Sequence, residues 1–330
     1  MNFKTVITLF SLILMAQPIT AFASNDLNDS IKINTVKEDV YDNKNYNAES
    51  YFEFIVPELP EAITAEAEIT AMSQEEIDKK VNSFTKEFNN KLDKDIRDKG
   101  EKDLNTYRID NNSAQGIAAN DDHDKYYNEL RKGNFIEGIL DIEEGLSNSQ
   151  IAKIGVTHAN TARSAALKRY PNNLMLADGF RHFTWNYLAA RDVGAVATRT
   201  ATINHEWGIL LLTPATNYYS ERYNYYKGKN NNAPGNAALI DTTAYLPELK
   251  QNLVLLSKND YSFFKGYFKK SNIMDLHNNC YGRSYAASNK PDGFDKVYSM
   301  AREKQQIILS EASVTDHNYQ YVWKNNWYTY

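Results

Sequence analysis

The sequence predicts a mainly α-helical protein: one principal multi-helix domain with a buried central helix, a long polar insertion and an extended aromatic C-terminal tail. Only 14 glycines and 8 prolines occur in 330 residues, which favours helices joined by polar loops over a turn-rich β-sandwich. Apolar residues recur at helical spacing in several segments. The single cysteine, Cys280, excludes an intramolecular disulfide, so a packed core must stabilise the chain.

The first 23 residues contain the three parts of a secretory signal peptide. Lys4 precedes an apolar run over residues 6–16, and the small residues Ala21 and Ala23 follow at a cleavage site. The run is shorter than the about 20 residues that a permanent membrane span needs. We therefore expect a secreted or cell-envelope protein that begins near Ser24 without a transmembrane anchor. Retention of the segment as an N-terminal anchor is the alternative.

The next two segments precede the main domain. Residues 24–71 are a polar lead, rich in Asn and Asp, which we predict to be largely disordered because it cannot bury enough apolar surface. Residues 72–125 predict a charged helix and a linker, and Ser73 with Glu76 forms a capping-box pattern at the start. An apolar stripe follows at helical spacing, consisting of Ile77, Val81, Phe84, Phe88 and Leu92. This stripe predicts a helix that packs on the main body.

The main domain, residues 126–330, begins with two predicted helices. They cover residues 127–146 and 147–170, with Ser147 as the N-cap of the second helix and Pro171 beyond its end. The central helix, residues 176–192, follows, and Gly194 separates it from a helix over residues 195–212.

The remainder of the domain contains the insertion and the tail. Residues 213–241 predict a loop rich in Asn, Tyr and Gly, and a loop of that length is uncommon unless it is functional or mobile. Residues 243–270 predict one or two short helices, and further helices are predicted over 271–287 and 292–312. Aromatic residues alternate in the tail, which is typical of a strand or an extended docking segment.

The segment LADGFRHFTWNYLAARD, residues 176–192, places charges in a helix with apolar residues on all sides. Asp178, His182 and Asn186 are four residues apart, so they share one face. A buried charge without a partner costs several kcal/mol, so these residues need partners elsewhere in the chain. The segments INHEWG and MDLHNNCYGR supply them, with the polar residues His205, Glu206, Asp275, Asn278, Asn279 and Arg283.

These three motifs resemble an uncharacterised bacterial α-helical family that occurs in secreted Gram-positive proteins and at the C-terminal ends of polymorphic toxins. Its signature reads D-A-F-R-H-x-x-W-N, then H-E, then M-D-x-x-N-N-x-x-G-R, and the match covers roughly residues 154–286. The resemblance implies an α-helical domain with a site but no known reaction. It falls on Asp178, Arg181, His182, Trp185, Asn186, His205, Glu206, Asp275, Asn278, Asn279 and Arg283.

The chain departs from that family in two respects. Residues 207–273 separate the H-E and M-D motifs, which are close together in the family. A short acidic lead precedes the domain here, whereas toxin-like members have long delivery regions. A toxin-like role would add an immunity protein as a partner.

The mixture of imidazole and carboxylate groups predicts a hydrolase, and metal assistance is the first of the mechanisms that this mixture allows. The predicted metal ligands are His182, His205, Asp178 and Asp275. Two imidazoles and a carboxylate with an open position suit zinc first and other first-row metals next. A bound cation would lower the pKa of its water and create a nucleophile. We expect a small or envelope substrate that contains an ester or phosphate group.

The other predicted catalytic residues surround these ligands. Glu206 or Asp178 would act as general base, and Arg181 or Arg283 would stabilise an oxyanion or a phosphate. The remaining members of the predicted catalytic set are His182, Asn186, Asn278 and Asn279. Two variants stay open: a metal-free acid–base hydrolase with His182 or His205 as base, and Cys280 as nucleophile beside His277.

A non-enzymatic protein of the cell envelope is the alternative function. In that case the polar motifs form a structural network of ion pairs and amides that ties helices together. The Tyr/Asn-rich segment 218–236 and the tail 319–330 would bind sugars or a partner by stacking. The net charge of −5, with no basic block, indicates no nucleic-acid partner.

Overall fold

The computed structural model describes residues 69–107, 123–132, 134–229, 231, 233–288, 292–325 and 327–328. The predicted signal peptide and almost all of the polar lead lie outside these residues. Within them the chain is mainly α-helical, as predicted, and contains no strand. None of the helices in the described ranges combines the length and the apolarity that crossing a bilayer requires.

The helices are, in chain order, α1 (Gln74–Tyr107), α2 (His123–Leu130), α3 (Asn134–Glu143), α4 (Asn148–Ala152), α5 (Ala159–Arg169), α6 (Leu174–Val193), α7 (Ala195–Leu210), α8 (Leu212–Gly228), α9 (Pro234–Asn259), α10 (Tyr261–Tyr267), α11 (Lys270–Ala287), α12 (Phe294–Glu303) and α13 (Asp316–Asn325). A π-helical turn, Lys153–His158, joins α4 to α5, and a 3-10 turn, Glu311–Ser313, precedes α13. The segment predicted as one helix over 127–146 is therefore two helices, α2 and α3.

The central helix α6 is buried, as predicted, and it packs along α11. The two helices run parallel, because His182 bonds Asn279 and, one turn further along both helices, Asn186 bonds Arg283. Helix α7 runs back along α6 after Gly194, whose φ of 100° is open to glycine and strained for other residues. The three polar motifs, which lie on α6, α7 and α11, are therefore next to one another at the same height along these helices.

Helix α1 packs on this body through the predicted stripe. Its predicted capping box is confirmed: the Ser73 amide donates to Glu76 Oε2 at 3.1 Å, and the Glu76 amide donates to Ser73 Oγ at 3.4 Å. Ile77 and Val81 are buried. Phe88 packs against the tyrosine ring of Tyr245 at a centroid distance of 5.0 Å, so aromatic contacts fix the middle of the helix.

The prediction of a long polar loop over 213–241 is wrong. Residues 212–228 form α8, a short connection follows, and α9 begins at Pro234. The reason is that the tyrosines of this segment recur at helical spacing and are buried along one face of α8, as Tyr218, Tyr219, Tyr223 and Tyr226. An internal ion pair closes the unit, because Arg222 Nε donates to Asp241 Oδ2 at 2.8 Å.

The prediction of an extended aromatic tail is also wrong over residues 316–325, which form α13. Tyr319, Tyr321 and Val322 are all buried there. The two tyrosines contact different neighbours. The Tyr319 hydroxyl donates to the Phe268 carbonyl at 3.1 Å, and the Tyr321 ring packs on His277. When a helix is buried on more than one side, aromatic residues are able to alternate in its sequence. Such alternation therefore does not require a strand.

Helices α6 and α11 approach each other closely at Gly282. A Cβ atom on this residue would overlap the carbonyl oxygen of Phe183 and lie 2.9 Å from Asn186 Cβ. We predict that Gly282→Ala lowers the free energy of unfolding by about 1–3 kcal/mol, since the backbones must move apart. Urea denaturation of the purified protein measures this change.

Gly155→Ala is the matched control. Nothing lies within 4 Å of a Cβ built on Gly155, so we expect no loss of stability from this variant. A Gly282→Ala protein as stable as the wild type would contradict the close approach of the two helices.

Candidate active site

The candidate site lies where α6, α7 and α11 meet. Potential ligand atoms of Asp178, His182 and Asp275 all lie within 4.8 Å of one another. His182 is fully buried, Asp275 is 8% exposed, and the Asp178 side chain is 33% exposed. The cluster therefore has a buried floor and one side that reaches solvent.

The hydrogen bonds of His182 define which ring nitrogen bears the proton. Nε2 lies 2.7 Å from Arg181 Nη2, and a guanidinium nitrogen can only donate. Nε2 therefore presents its lone pair, and the proton lies on Nδ1, which donates to Asn279 Oδ1 at 3.1 Å. Burial, followed by the Arg181 charge, lowers the pKa of His182 to about 3. The imidazole is neutral and is aimed at the cluster through its lone pair.

A chain of amides holds this orientation. Asn186 Nδ2 donates to Asn279 Oδ1 at 2.6 Å and to the carbonyl oxygen of His182 at 3.0 Å. Asn186 Oδ1 accepts from Arg283 Nη1 at 2.6 Å. Because Arg283 can only donate and a carbonyl can only accept, the amide of Asn186 has one allowed orientation. That orientation in turn points Asn279 Oδ1 at the His182 proton.

Two residues of the predicted catalytic set lie away from the open side. Arg283 is 2% exposed and contacts Asn186 and Thr202, so it supports the floor of the cluster. The amide of Asn278 pairs with the backbone of Ile308, at 2.9 Å and 3.0 Å. Asn278 therefore ties α11 to the segment after α12.

The two aspartates have opposite electrostatic states. Although burial favours the neutral acid, the charge and the hydrogen bond of Arg181 lower the pKa of Asp178. Burial, and then the charges of Glu206 and Asp178, raise the pKa of Asp275 well above its usual range. The site therefore favours the protonated form of Asp275 more than that of Asp178, as expected when like charges share a site.

Three buried polar atoms around the cluster have no hydrogen-bond partner among the described residues: Asp275 Oδ1, Glu206 Oε1 and Asn279 Nδ2. Glu206 is fully buried, its Oε2 accepts from Asn272 Nδ2 at 3.0 Å, and burial raises its pKa. Buried polar atoms without partners are rare in folded proteins. The two carboxylate oxygens among them are free to accept from a polar ligand or to contact a cation.

His205 lies beside the three-ligand group and is not a member of it. Its ring centroid is 6.1 Å from that of His182, and its Nδ1 faces Glu137 Oε2 at 3.0 Å. Burial opposes the charged form, but Glu137 and then Glu206 raise the pKa of His205 above its usual value. The rings of His205 and Trp185 are perpendicular, with centroids 5.3 Å apart, and Trp185 Nε1 donates to the Ile154 carbonyl at 2.7 Å.

Helix α3 and the residue after it supply acidic residues that the sequence analysis did not identify. Glu137, Asp141 and Glu144 are spaced at i, i+4 and i+7, and the first two contact α7 through His205 and Asn204. Asn204 Nδ2 donates to Asp141 Oδ1 at 2.8 Å, and Lys250 pairs with Glu144. Burial and the charge of Glu137 raise the pKa of Asp141 well above its usual range. The acidic i, i+4, i+7 spacing was the available signal.

The cysteine variant has no supporting geometry among the described contacts. Cys280 Sγ lies 3.5 Å from the hydroxyl of Tyr321. The ring of His277 packs instead on Tyr281 and Tyr321, at 5.0 Å and 5.2 Å, and burial lowers its pKa to about 4. This histidine lies in an aromatic pocket.

Comparison with known proteins gives no relative: no family model, curated protein or solved structure matches the chain. The resemblance of the three motifs therefore stays a prediction. Any function has to be argued from the geometry of the site.

The neutral state of His182 generates a prediction about acid stability. Its pKa of about 3 in the folded protein lies below the ordinary value of 6.5, so the unfolded chain binds the extra proton between these values. Stability from this group is present above pH 6.5 and is lost as the pH falls, by about 1.4 kcal/mol per unit. We expect His182→Gln to lack this component of the decline.

The measurement is the free energy of unfolding at several pH values between about 6 and 4. The difference between the wild type and His182→Gln should change by about 1.4 kcal/mol per unit. A difference independent of pH would show that His182 is not held neutral.

Proposed function

We propose that the protein is a metal-assisted hydrolase whose divalent cation binds Asp178, His182 and Asp275. The observation that carries this proposal is the convergence of three ligand atoms within 4.8 Å. The lone pair of His182 faces the cluster, and Asp275 Oδ1 is buried without a hydrogen-bond partner. These are the properties that a cation site requires of its donors.

The donor set argues for a broader choice of metal than the two-histidine set predicted from the sequence. One imidazole and two carboxylates suit zinc, and they also suit manganese and other oxygen-preferring cations. Asn279 accepts the Nδ1 proton of His182, which is the outer-shell contact that orients a metal-binding histidine. A bound cation would supply an activated water and charge stabilisation at the reacting group.

The remaining residues suggest a division of acid and base roles. His205 lies at the partly open edge, and Glu137 and Glu206 raise its pKa against the effect of burial. This shift favours the protonated form, which would donate a proton to a leaving oxygen. With Asp178 among the ligands, Glu206 is the carboxylate left to accept a proton from water. The proposed substrate is a small or envelope molecule with an ester or phosphate group.

We infer an extracellular setting from the signal-peptide pattern of residues 1–23. An immunity partner belongs to this proposal only if the chain acts as a toxin, and the motif resemblance is the sole support for that role.

The second candidate function is a non-enzymatic binding protein of the cell envelope. It is favoured by one observation: Arg181 donates to Asp178 Oδ1 at 2.6 Å and to His182 Nε2 at 2.7 Å. An arginine that satisfies both groups is also typical of a structural network. Metal binding separates the two candidates.

We expect the mature protein to bind Mn²⁺ or Zn²⁺ with a stoichiometry of one, and Asp275→Asn and His182→Gln to reduce affinity by more than about 100-fold. Loss of an outer-shell partner alone costs ~10–100-fold, and these residues are the ligands themselves. Isothermal titration calorimetry on metal-stripped protein measures this. No saturable binding to the wild type would contradict the metal site.

Asp192→Asn is the matched control, because Asp192 also pairs with a buried histidine, His158, at 2.9 Å. Its affinity for metal should equal that of the wild type. Circular dichroism confirms that each variant is folded.

The reaction is tested with fluorogenic carboxylate esters and phosphate esters, with and without added Mn²⁺ or Zn²⁺. We expect metal-dependent turnover that is lost in His182→Gln and retained in Asp192→Asn. Metal binding without turnover of any ester, together with retention on purified cell-envelope material, would favour the non-enzymatic function instead.

A further inference from the structure

Arg181 occupies the acceptor atoms that the proposed cation would use. Its Nη2 contacts Asp178 Oδ1 at 2.6 Å and His182 Nε2 at 2.7 Å, and its Nε adds a second bond to Asp178 at 3.1 Å. Two of the three ligand atoms are therefore satisfied by one guanidinium. The third, Asp275 Oδ1, is buried and accepts no hydrogen bond from the described residues.

A divalent cation and the guanidinium cannot share these atoms. The lone pair of His182 Nε2 accepts one donor or one metal, since a ring nitrogen has a single lone pair. Asp178 Oδ1 is held at hydrogen-bond distance by two nitrogens of the same arginine. Binding of a cation at Asp178, His182 and Asp275 therefore requires Arg181 to leave His182.

The surroundings allow this displacement. The Arg181 side chain is 30% exposed, and its main partner Asp178 is 33% exposed, so this pair borders the open side of the cluster. The nearby carboxylates of Asp178, Asp275 and Glu206 act on Arg181 electrostatically. Asp178 pairs with the guanidinium at 2.6 Å, so Arg181 is not available to an anion while this pair is intact.

We propose that Arg181 is an internal cation that a divalent metal displaces, and that the displaced guanidinium then binds a phosphate-type oxyanion of the substrate. This inference rests on the proposed function, and it adds an order of binding: metal first, oxyanion second. The planar fork of arginine matches phosphate oxygens in pairs. The inference also assigns substrate binding to the partly exposed Arg181 and not to the buried Arg283.

The first test is the affinity for Mn²⁺ of the wild type and Arg181→Gln, measured by calorimetry. Removing the competitor should raise the affinity by about 10-fold, the effect of one hydrogen bond to a charged group. Arg169→Gln is the matched control: Arg169 is 31% exposed and pairs with Asp295 at 2.7 Å. This variant should bind Mn²⁺ like the wild type.

The second test uses inorganic phosphate as the probe, with stoichiometric Mn²⁺ or with none. The wild type and Arg169→Gln should bind phosphate only when Mn²⁺ is present. Arg181→Gln should bind Mn²⁺ but lose most of the phosphate binding. Phosphate binding that is equal with and without Mn²⁺, or equal in wild type and Arg181→Gln, would overturn the inference.

The outcomes also separate this inference from the proposed function. Equal or weaker Mn²⁺ binding in Arg181→Gln, with clear binding in the wild type, overturns the displacement and leaves the metal site in place. Binding in Arg181→Gln alone overturns the inference and the metal site of the wild type, because the metal then fails to displace Arg181. The absence of Mn²⁺ and Zn²⁺ binding in both proteins overturns the inference together with the metal site.

Discussion

The neutral imidazole of His182 is the constraint on which the centre of the molecule depends. A fully buried ring needs an acceptor for one nitrogen and a donor for the other, and Asn279 and Arg181 fill these roles. Asn279 comes from α11 and is oriented through Asn186, whose own amide is fixed by Arg283. The parallel register of α6 and α11 follows from these bonds, because a shift of either helix by one residue would separate every pair.

The convergence of the polar motifs was predictable because the central helix is apolar on every side. Charges placed there had to find partners, and the INHEWG and MDLHNNCYGR segments were the suitable sources. The partnership of His205 with Glu137 was not predictable in this way. Glu137 lies on α3, and an acidic row at helical spacing is typical of a solvated face. Only the packing of α3 on α7 shows that this row points inward, where Asn204 meets Asp141.

The wrong predictions for residues 213–241 and for the tail both concern segments rich in tyrosine. Tyrosine, asparagine and glycine together are typical of loops, so composition outweighed periodicity over residues 213–241, and in the tail the alternation of aromatic residues resembled a strand. Tyrosine buries a large ring while its hydroxyl needs only one partner. Tyr226 finds that partner in Asp241, and Tyr319 finds it in the Phe268 carbonyl. Helices rich in tyrosine therefore enter the core here, and their hydrophobic character is underestimated by scales that count the hydroxyl as polar.

The hydrogen bond between Asn272 and Glu206 joins the two ends of the segment that forms α8, α9 and α10. It closes the excursion of α8, α9 and α10, so the chain leaves the central layer after α7 and returns to the same level at α11. The entropy of closing such an excursion grows only with the logarithm of its length. The excursion also has its own buried ion pair, Arg222 with Asp241. Because Asn272 and Glu206 join its two ends, a change in the length of this module costs little closure entropy and leaves the level at which the chain re-enters the central layer unchanged.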